Sequence, residues 1–444
     1  MVFKKGKFIS YIDEDNGLHM HLRIDPDGNG VLIINASVVV YLNRTAAFYV
    51  ECFLKEMKPE KVAKKAVRKF KGLTREKAIQ DYTRVINNVL SLAYSKVCPI
   101  SSLGFEKVEP FSMRPSAPYR VDLALTYRCN NKCIHCYSSS PDASKEKGEL
   151  STKKWRKIID KLFDVGVPQI TFTGGEPTLR RDLVELISYT QKKGLVSTLV
   201  TNGRRLADKE YLRMLVEAGL DGIQITLESA DPEVHDSITR VKGSWRETVE
   251  GIKNAVKEKV YIDVNMTLMK HNIAGIEKWV KFLHELGVEN ISANKVIYSG
   301  KAIELVEDLE PPVNDVEEAL VRIKDLAEDL GMKFTWYGVT RYCELNPLEL
   351  GLGIKSCSAA LITLAVEPDG TVIPCQSYFR PLGNILRDKW EKIWNNPLAI
   401  TLREAKYAPE KCFKCPLFNT CRGGCPLEYE VKKSCRLKNS FLAL

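Results

Sequence analysis

The chain has 444 residues, of which 44% are hydrophobic and 27% are charged, and its formal net charge is +10. At about 100–200 residues per domain this length predicts two to four domains, and the balanced composition excludes a disordered chain. Lysine and glutamate alternate along most predicted helices, which indicates solvated faces rather than a groove for nucleic acid. No apolar run reaches about 18 residues and no secretory signal follows the charged start, so we expect a cytoplasmic protein with no membrane partner.

Residues 1–98 are predicted to form a small separate unit. GVLIIN (30–35) and SVVVYLN (37–43) are rich in β-branched residues and follow a turn cluster at 25–30, so both are predicted strands. Three helices are expected after them, at 44–57, 59–71 and 75–93. This pattern predicts a winged-helix-like α+β domain. The Pro- and Ser-containing stretch 99–119 is predicted to be a linker.

From 120 to 340 predicted strands alternate with helices. The candidate strands are 121–127, 169–174, 197–203, 222–229, 261–269 and 290–297. Repeated β-α units predict a parallel sheet, and such sheets place active sites at the carboxyl ends of their strands. The remaining residues, 341–444, are loop-rich and contain eight of the thirteen cysteines. We therefore predict an α/β fold class with a third, cysteine-rich domain.

The first strand is followed by CNNKCIHC, with thiols at Cys129, Cys133 and Cys136. Three thiolates cannot complete a tetrahedral zinc site or a four-iron cluster, so one metal position stays open for another ligand. The alternative is a zinc site completed by His135. At the end of the second strand stands TGGEP (173–177), where paired glycines allow close backbone approach and a carboxylate can accept from an ammonium group. A tight β-α turn would also explain the glycines without a ligand.

Together these motifs resemble the radical S-adenosylmethionine (SAM) enzymes over about 121–340. The resemblance implies a partial (βα)6 barrel in which Cys129, Cys133 and Cys136 hold a [4Fe-4S] cluster whose fourth iron binds SAM. One electron would cleave SAM to methionine and a 5′-deoxyadenosyl radical, which abstracts hydrogen from the substrate. The residues that the resemblance assigns to SAM are His135 beside adenine, Gly174, Gly175 and Glu176 at the ammonium group, Asn202 and Thr226 at strand ends, and Arg240 near a family arginine that touches SAM. A capping or turn role is the alternative for Asn202 and Thr226.

The C-terminal cysteines follow the seven-cysteine pattern of SPASM extensions, as in PqqE-like enzymes. That resemblance implies two auxiliary [4Fe-4S] clusters, and three clusters in all. One receives Cys412, Cys415, Cys421 and Cys435, and the other receives Cys357, Cys375 and Cys425. The fourth ligand of the latter is either Cys343 or a substrate at an open iron. A zinc ribbon is the alternative for C-x2-C-x5-C-x3-C. Gln376 stands where sulfatase-maturing members carry an acidic base, so no catalytic base is assigned.

The unit at 1–98 resembles PqqD-like peptide-recognition domains, which bind a leader peptide as an added strand. We therefore expect a radical SAM oxidoreductase that modifies a ribosomally synthesised peptide or protein, with an oxidative cross-link as the candidate product. A low-potential donor such as ferredoxin or flavodoxin would supply its electrons. One alternative is maturation of a cofactor or protein partner, by tetrapyrrole decarboxylation or for a tungsten oxidoreductase. The alternative of another class is a non-catalytic metal-binding or electron-transfer scaffold.

Overall fold

The computed structural model describes residues 7–13, 18–34, 38–94, 115–140, 142, 148–258 and 260–431. Most of the predicted linker lies outside these ranges, and so does the predicted cluster ligand Cys435. Within the described residues, no helix is both long and apolar enough to cross a membrane.

The first unit pairs an antiparallel sheet with three helices, which share a core of their own. The sheet order is β1-β2-β3-β4, so β1 and β4 are its edges. Leu18, Met20 and Leu22 alternate along β2 and are buried against the helices, as expected for a half-buried strand. The predicted strands and helices are all present, and two further strands precede them. The elements are β1 (Lys7–Asp13), β2 (Leu18–Ile24), β3 (Gly30–Ile34), β4 (Val38–Leu42), α1 (Arg44–Leu54), α2 (Pro59–Lys69) and α3 (Arg75–Tyr94).

The second sheet has ten strands in the order β11-β10-β9-β8-β7-β6-β5-β12-β13-β14. Strands β5 to β11 are parallel to their neighbours, and β12 adds to the other side of β5 in the same direction. The strands are β5 (Arg120–Thr126), β6 (Gln169–Gly174), β7 (Val196–Thr201), β8 (Gly222–Thr226), β9 (Tyr261–Leu268), β10 (Asn290–Lys295), β11 (Lys333–Trp336), β12 (Thr363–Val366), β13 (Thr371–Ile373) and β14 (Gly383–Asn384).

Helices cover the outer face of this sheet. In α4 the buried residues Trp155, Ile158, Ile159 and Leu162 recur at the spacing of one helix face, and they pack in one core with Val121 and Leu123 of β5. The predicted partial-barrel fold class is therefore confirmed. The helices are α4 (Thr152–Asp164), α5 (Leu183–Lys192), α6 (Lys209–Glu217), α7 (Pro232–Thr239), α8 (Ser244–Ala255), α9 (Ile276–Glu285), α10 (Val306–Leu309), α11 (Val313–Asp329), α12 (Trp390–Trp394), α13 (Pro397–Arg403), α14 (Phe418–Cys421) and α15 (Pro426–Val431).

The N-terminal unit docks on the barrel where the parallel strands begin. Val31 and Ile33 of β3 pack with Tyr119, just before β5, and with Val196, the first residue of β7. Nearby, His21 Nδ1 lies 2.9 Å from the carbonyl oxygen of Gly194. The interface combines apolar and polar contacts, so the unit has a defined docking position on the barrel.

Candidate active site

The three-thiol loop leaves the end of β5 and is held by its neighbours. The Arg204 guanidinium donates to Asn130 O at 2.5 Å and to Asn131 Oδ1 at 2.9 Å. On another side, the backbone amides of Lys132 and Ile134 donate to the carbonyls at the end of α7. The loop conformation is thus fixed by protein contacts. Arg204 was missed by the sequence analysis, because an arginine after a strand carries no pattern of its own.

All three predicted thiols line one cavity of about 130 Å³ at the carboxyl ends of the strands. Burial and the neighbouring carboxylate of Glu176 raise the pKa of Cys129 to about 12, and burial together with Cys136 raises the pKa of Cys133. Partly buried thiolates that line one cavity repel one another, and a bound cationic metal group offsets that cost. The donor set therefore fits an iron–sulfur cluster. The predicted SAM residues that also line the cavity are His135, Gly174, Gly175, Asn202 and Thr226.

The paired glycines are required by the cluster loop itself. Gly174 has φ of +139°, and a Cβ on it would lie 2.1 Å from Thr126 O. A Cβ on Gly175 would lie 2.5 Å from Arg128 O. Their segment also donates to this loop, from Gly175 N to Thr126 O at 2.7 Å. The turn alternative thus explains part of the Gly-Gly signal, while both residues still border the cavity.

Glu176 is fully buried and its carboxylate is already engaged. Its Oε1 accepts from the backbone and hydroxyl of Thr178 and from the Thr201 hydroxyl, and its Oε2 accepts from Asn202 N at 2.8 Å. Burial raises the pKa of this carboxyl. Glu176 therefore ties the ends of β6 and β7 together, and its predicted contact with the SAM ammonium stays a prediction.

The positions of two other side chains were not predicted from the sequence. Arg240 is exposed at the C-cap of α7 and is not among the residues that line the cavity, so its predicted SAM contact also stays a prediction. Glu228, which was not singled out, does line the cavity. It lies two residues after the predicted Thr226, the last residue of β8, and the Nε2 of His135 lies 3.0 Å from its Oε1.

The C-terminal thiols fall into two groups. Cys357, Cys375 and Cys425 line a second cavity, of about 150 Å³, beside the ion pair of Lys295 with the buried Glu428. Burial and Cys357 raise the pKa of Cys375 to about 12.

The other group surrounds a short turn. The amide of Cys415 donates to Cys412 O at 3.0 Å, and Cys421 ends α14. Cys343 is exposed, and the amide of its neighbour Tyr342 lies 3.4 Å from Cys421 Sγ. In the part of the chain that the structure describes, no three Cys, His, Asp or Glu side chains converge as they would on a single metal ion. The cluster ligands therefore stay predictions.

A parallel barrel with a three-thiol loop beside a glycine pair defines a class of protein, the radical enzymes that use SAM and an iron–sulfur cluster. Residues 123–283 match the family model of the radical SAM superfamily, and residues 357–416 match the SPASM iron-sulfur cluster-binding domain. The chain belongs to the radical SAM superfamily, and its SPASM domain carries auxiliary iron–sulfur clusters.

Relatives and solved structures agree with this assignment. AlbA of Bacillus subtilis (strain 168), the antilisterial bacteriocin subtilosin biosynthesis protein, is 32% identical over 70% of this chain and 68% of its own length. Fe-coproporphyrin III synthase of Methanosarcina barkeri is 30% identical over 67% of this chain and 81% of its own. The crystal structure of Streptococcus suis SuiB bound to precursor peptide SuiA shares the fold with a TM-score of 0.67 and 17% identity, covering 96% of this chain and 98% of that one.

Proposed function

We propose that this radical SAM enzyme oxidatively modifies a ribosomally synthesised peptide, which it binds through the unit at 1–98. The observation that carries the proposal is the edge of β4, which within the described residues pairs with β3 and with no other strand. On this strand Val39 and Tyr41 are 51% and 46% exposed, while Val38 and Val40 pack against the core of the unit. An exposed edge with apolar side chains suits the addition of a peptide strand, since its main-chain groups remain available for hydrogen bonds.

The comparisons favour a peptide over a tetrapyrrole. The fold likeness to SuiB, solved with its precursor peptide, extends over 96% of this chain and so includes the N-terminal unit. AlbA, the relative named for bacteriocin biosynthesis, also supports a peptide substrate. The Fe-coproporphyrin III synthase relative keeps tetrapyrrole chemistry as the competing substrate class. On this basis we propose that residues 1–98 bind the peptide, that residues 120–340 cleave SAM, and that residues 341–444 hold the auxiliary clusters.

In the SAM site, the fit of the cavity supports Cys129, Cys133 and Cys136 as cluster ligands, with Gly174, Gly175, Asn202, Thr226 and His135 around SAM. When bound, the cluster and SAM together supply a 5′-deoxyadenosyl radical, and a ferredoxin- or flavodoxin-like donor supplies the electron. The contribution of the protein is to hold the loop with Arg204 and to shape the backbone with Gly174 and Gly175.

For the auxiliary sites we propose Cys357, Cys375 and Cys425 as one ligand set. Their three side chains share a cavity, whereas Cys343 lies exposed beside Cys421. Cys412, Cys415, Cys421 and Cys435 already supply four thiolates, so in this proposal Cys343 belongs to neither set and the first set keeps three thiolates. The fourth position there is left to a substrate atom or to water.

Two measurements test the proposal. After anaerobic reconstitution, dithionite and SAM should release 5′-deoxyadenosine, and Cys133→Ala should abolish that release. Peptides encoded beside this gene should bind in a fluorescence-anisotropy assay. Val39→Lys places a charge on the edge and should weaken peptide binding at least about tenfold, with peptide-independent SAM cleavage unchanged.

The matched control is Ile79→Lys on α3, where the side chain is 37% exposed. This substitution adds the same charge to the same unit, away from the edge, and should leave peptide affinity intact. Wild-type peptide affinity in Val39→Lys would exclude binding at the β4 edge. Formation of Fe-coproporphyrin III from a tetrapyrrole precursor, with no peptide binding, would show that the substrate is a tetrapyrrole and not a peptide.

A further inference from the structure

The exposed face of α2 departs from the charge pattern of the other helices. Of its eleven residues, Pro59–Lys69, five are basic and one, Glu60, is acidic. On α11, by contrast, Lys324 lies 3.1 Å from Glu328, one turn away. Four exposed cations form what we call the basic face of α2, and among the described residues no carboxylate lies within 4.0 Å of their charged groups. They are Lys61, Lys64, Lys65 and Arg68.

The members of the basic face repel one another. Lys61 and Lys65 are four positions apart, as are Lys64 and Arg68, and like charges at this spacing are neighbours on a helix and destabilise it. A helix face that is merely solvated avoids this cost by alternating the two signs, as α11 does. No group of the described chain supplies the compensating negative charge, so we expect that charge on a partner.

The position of α2 limits the class of that partner. The N-terminal unit docks where the barrel strands begin, whereas both cysteine-lined cavities lie where the strands end. An electron donor must dock close to a cluster, so the basic face lies at the wrong end of the barrel for one. The β4 edge, however, belongs to the same unit: Val40 of β4 and Val62 of α2 pack in one core. Lys69 Nζ, beside the basic face, lies 4.8 Å from the ring centroid of Phe48 on α1, the helix that follows β4.

We propose that the basic face of α2 docks an acidic segment of the peptide substrate, a run of aspartate or glutamate residues outside the part that pairs with β4. This docking rests on the proposed peptide function and adds the charge of the substrate to it. Complementary charges of this kind raise the association rate and exclude wrong partners. Their attraction is screened by salt, because the groups are exposed to solvent.

The first probe is fluorescein-labelled octaglutamate, whose binding is followed by fluorescence anisotropy at about 50 mM salt. In a triple variant, Lys61→Gln, Lys64→Gln and Lys65→Gln, octaglutamate should bind about 3- to 150-fold more weakly, which is the effect of three exposed ion pairs. At about 1 M salt the screening length falls to about 3 Å, so the wild type and the variant should then bind equally weakly.

The matched control removes three exposed lysines from α4, by Lys153→Gln, Lys154→Gln and Lys157→Gln. It changes the net charge by the same amount and should keep the wild-type affinity for octaglutamate. The α2 variant loses like-charge pairs, so hydrogen exchange of its α2 amides should be no faster than in the wild type. A weaker affinity then reports the lost charges and not a loss of fold.

The second probe is the peptide encoded beside this gene. Replacing its acidic residues by their amides should weaken binding to the wild type and leave binding to the α2 variant unchanged, since the two changes remove the same interaction. Equal losses in both proteins, or a peptide without an acidic run, would overturn the proposal.

Two results with the first set of proteins would also overturn it. Equal octaglutamate affinity in the wild type and in the α2 variant would leave α2 as a solvated face. Tighter binding of an oligothymidylate or of phosphatidylserine vesicles, lost in the α2 variant, would assign the basic face to a nucleic acid or to a membrane. Octaglutamate carries no segment for the β4 edge, so these results are independent of Val39→Lys, which tests the proposed function separately.

Discussion

The docking of the N-terminal unit on the barrel depends on a buried ion pair, whose contribution can be tested by substitution. Arg23 is fully buried, and its guanidinium contacts Asp25 Oδ1 at 2.6 Å through Nη2 while Nη1 donates to Pro118 O at 2.8 Å. The guanidinium also lies over the ring of Tyr119, 4.8 Å from its centroid. Asp25→Ala leaves the guanidinium buried without its counter-charge, which costs about 3–5 kcal/mol. Because these groups join the unit to the start of β5, the loss falls on the docked structure.

Hydrogen exchange measured by mass spectrometry reports this local stability. In Asp25→Ala the slowest amides of β2 and β3 should exchange about 100- to 5,000-fold faster, which is the same cost expressed as a ratio. Arg84→Ala is the matched control, because it removes an exposed partner of Asp81 on α3, where a surface pair contributes about 0–1 kcal/mol. If the exchange rates of these β2 and β3 amides in Asp25→Ala stay within threefold of the wild type, the pair does not stabilise the docked unit.

Three further predictions concern the sites. Gly175→Ala should lower iron bound per chain at the SAM cluster, because its Cβ would meet a backbone oxygen at 2.5 Å, whereas Gly275→Ala, with open space around it, should not. Cys425→Ser should remove one auxiliary cluster from the Mössbauer spectrum, while Cys343→Ser should leave that cluster in place. Burial lowers the pKa of His235 from 6.5 to about 4, so between pH 6.5 and 4 the unfolded state binds a proton there that the folded state does not. Stability should therefore fall by up to about 3 kcal/mol as the pH drops from 6.5 to 4, and hydrogen exchange of α7 in His235→Gln should lack that dependence.

Motifs carried by single short segments could be predicted from the sequence. The spacing of Cys129, Cys133 and Cys136 and the glycines at 174–175 each reflect a local chemical requirement, so they are visible without the fold. Strand periodicity located the parallel core, because each strand is bounded by turn residues and rich in β-branched side chains.

Contacts between distant segments could not be predicted. Glu228 and His135 are 93 positions apart in the chain, and only the barrel brings them together at 3.0 Å. A polar residue at the end of a strand is common, so nothing in the sequence distinguishes Glu228 from a capping residue. The same holds for Glu176, whose motif predicts a ligand contact while its carboxylate is satisfied by Thr178, Thr201 and Asn202.

The proposed peptide site at the β4 edge and the SAM cavity lie toward opposite ends of the barrel strands, and their separation imposes a length on the peptide. The β4 edge lies beside the start of the barrel strands, since Tyr41 contacts Tyr119 with ring centroids 6.2 Å apart, whereas the SAM cavity lies where the strands end. β6 spans six residues, or about 20 Å at ~3.3 Å per residue. An extended peptide therefore needs at least about six residues between the segment paired with β4 and the residue that is modified. Peptides with a spacer of about three residues should bind with the same affinity in the anisotropy assay, and mass spectrometry should show that they remain unmodified. Efficient modification of such a peptide would mean that it binds elsewhere or that the N-terminal unit undocks from the barrel.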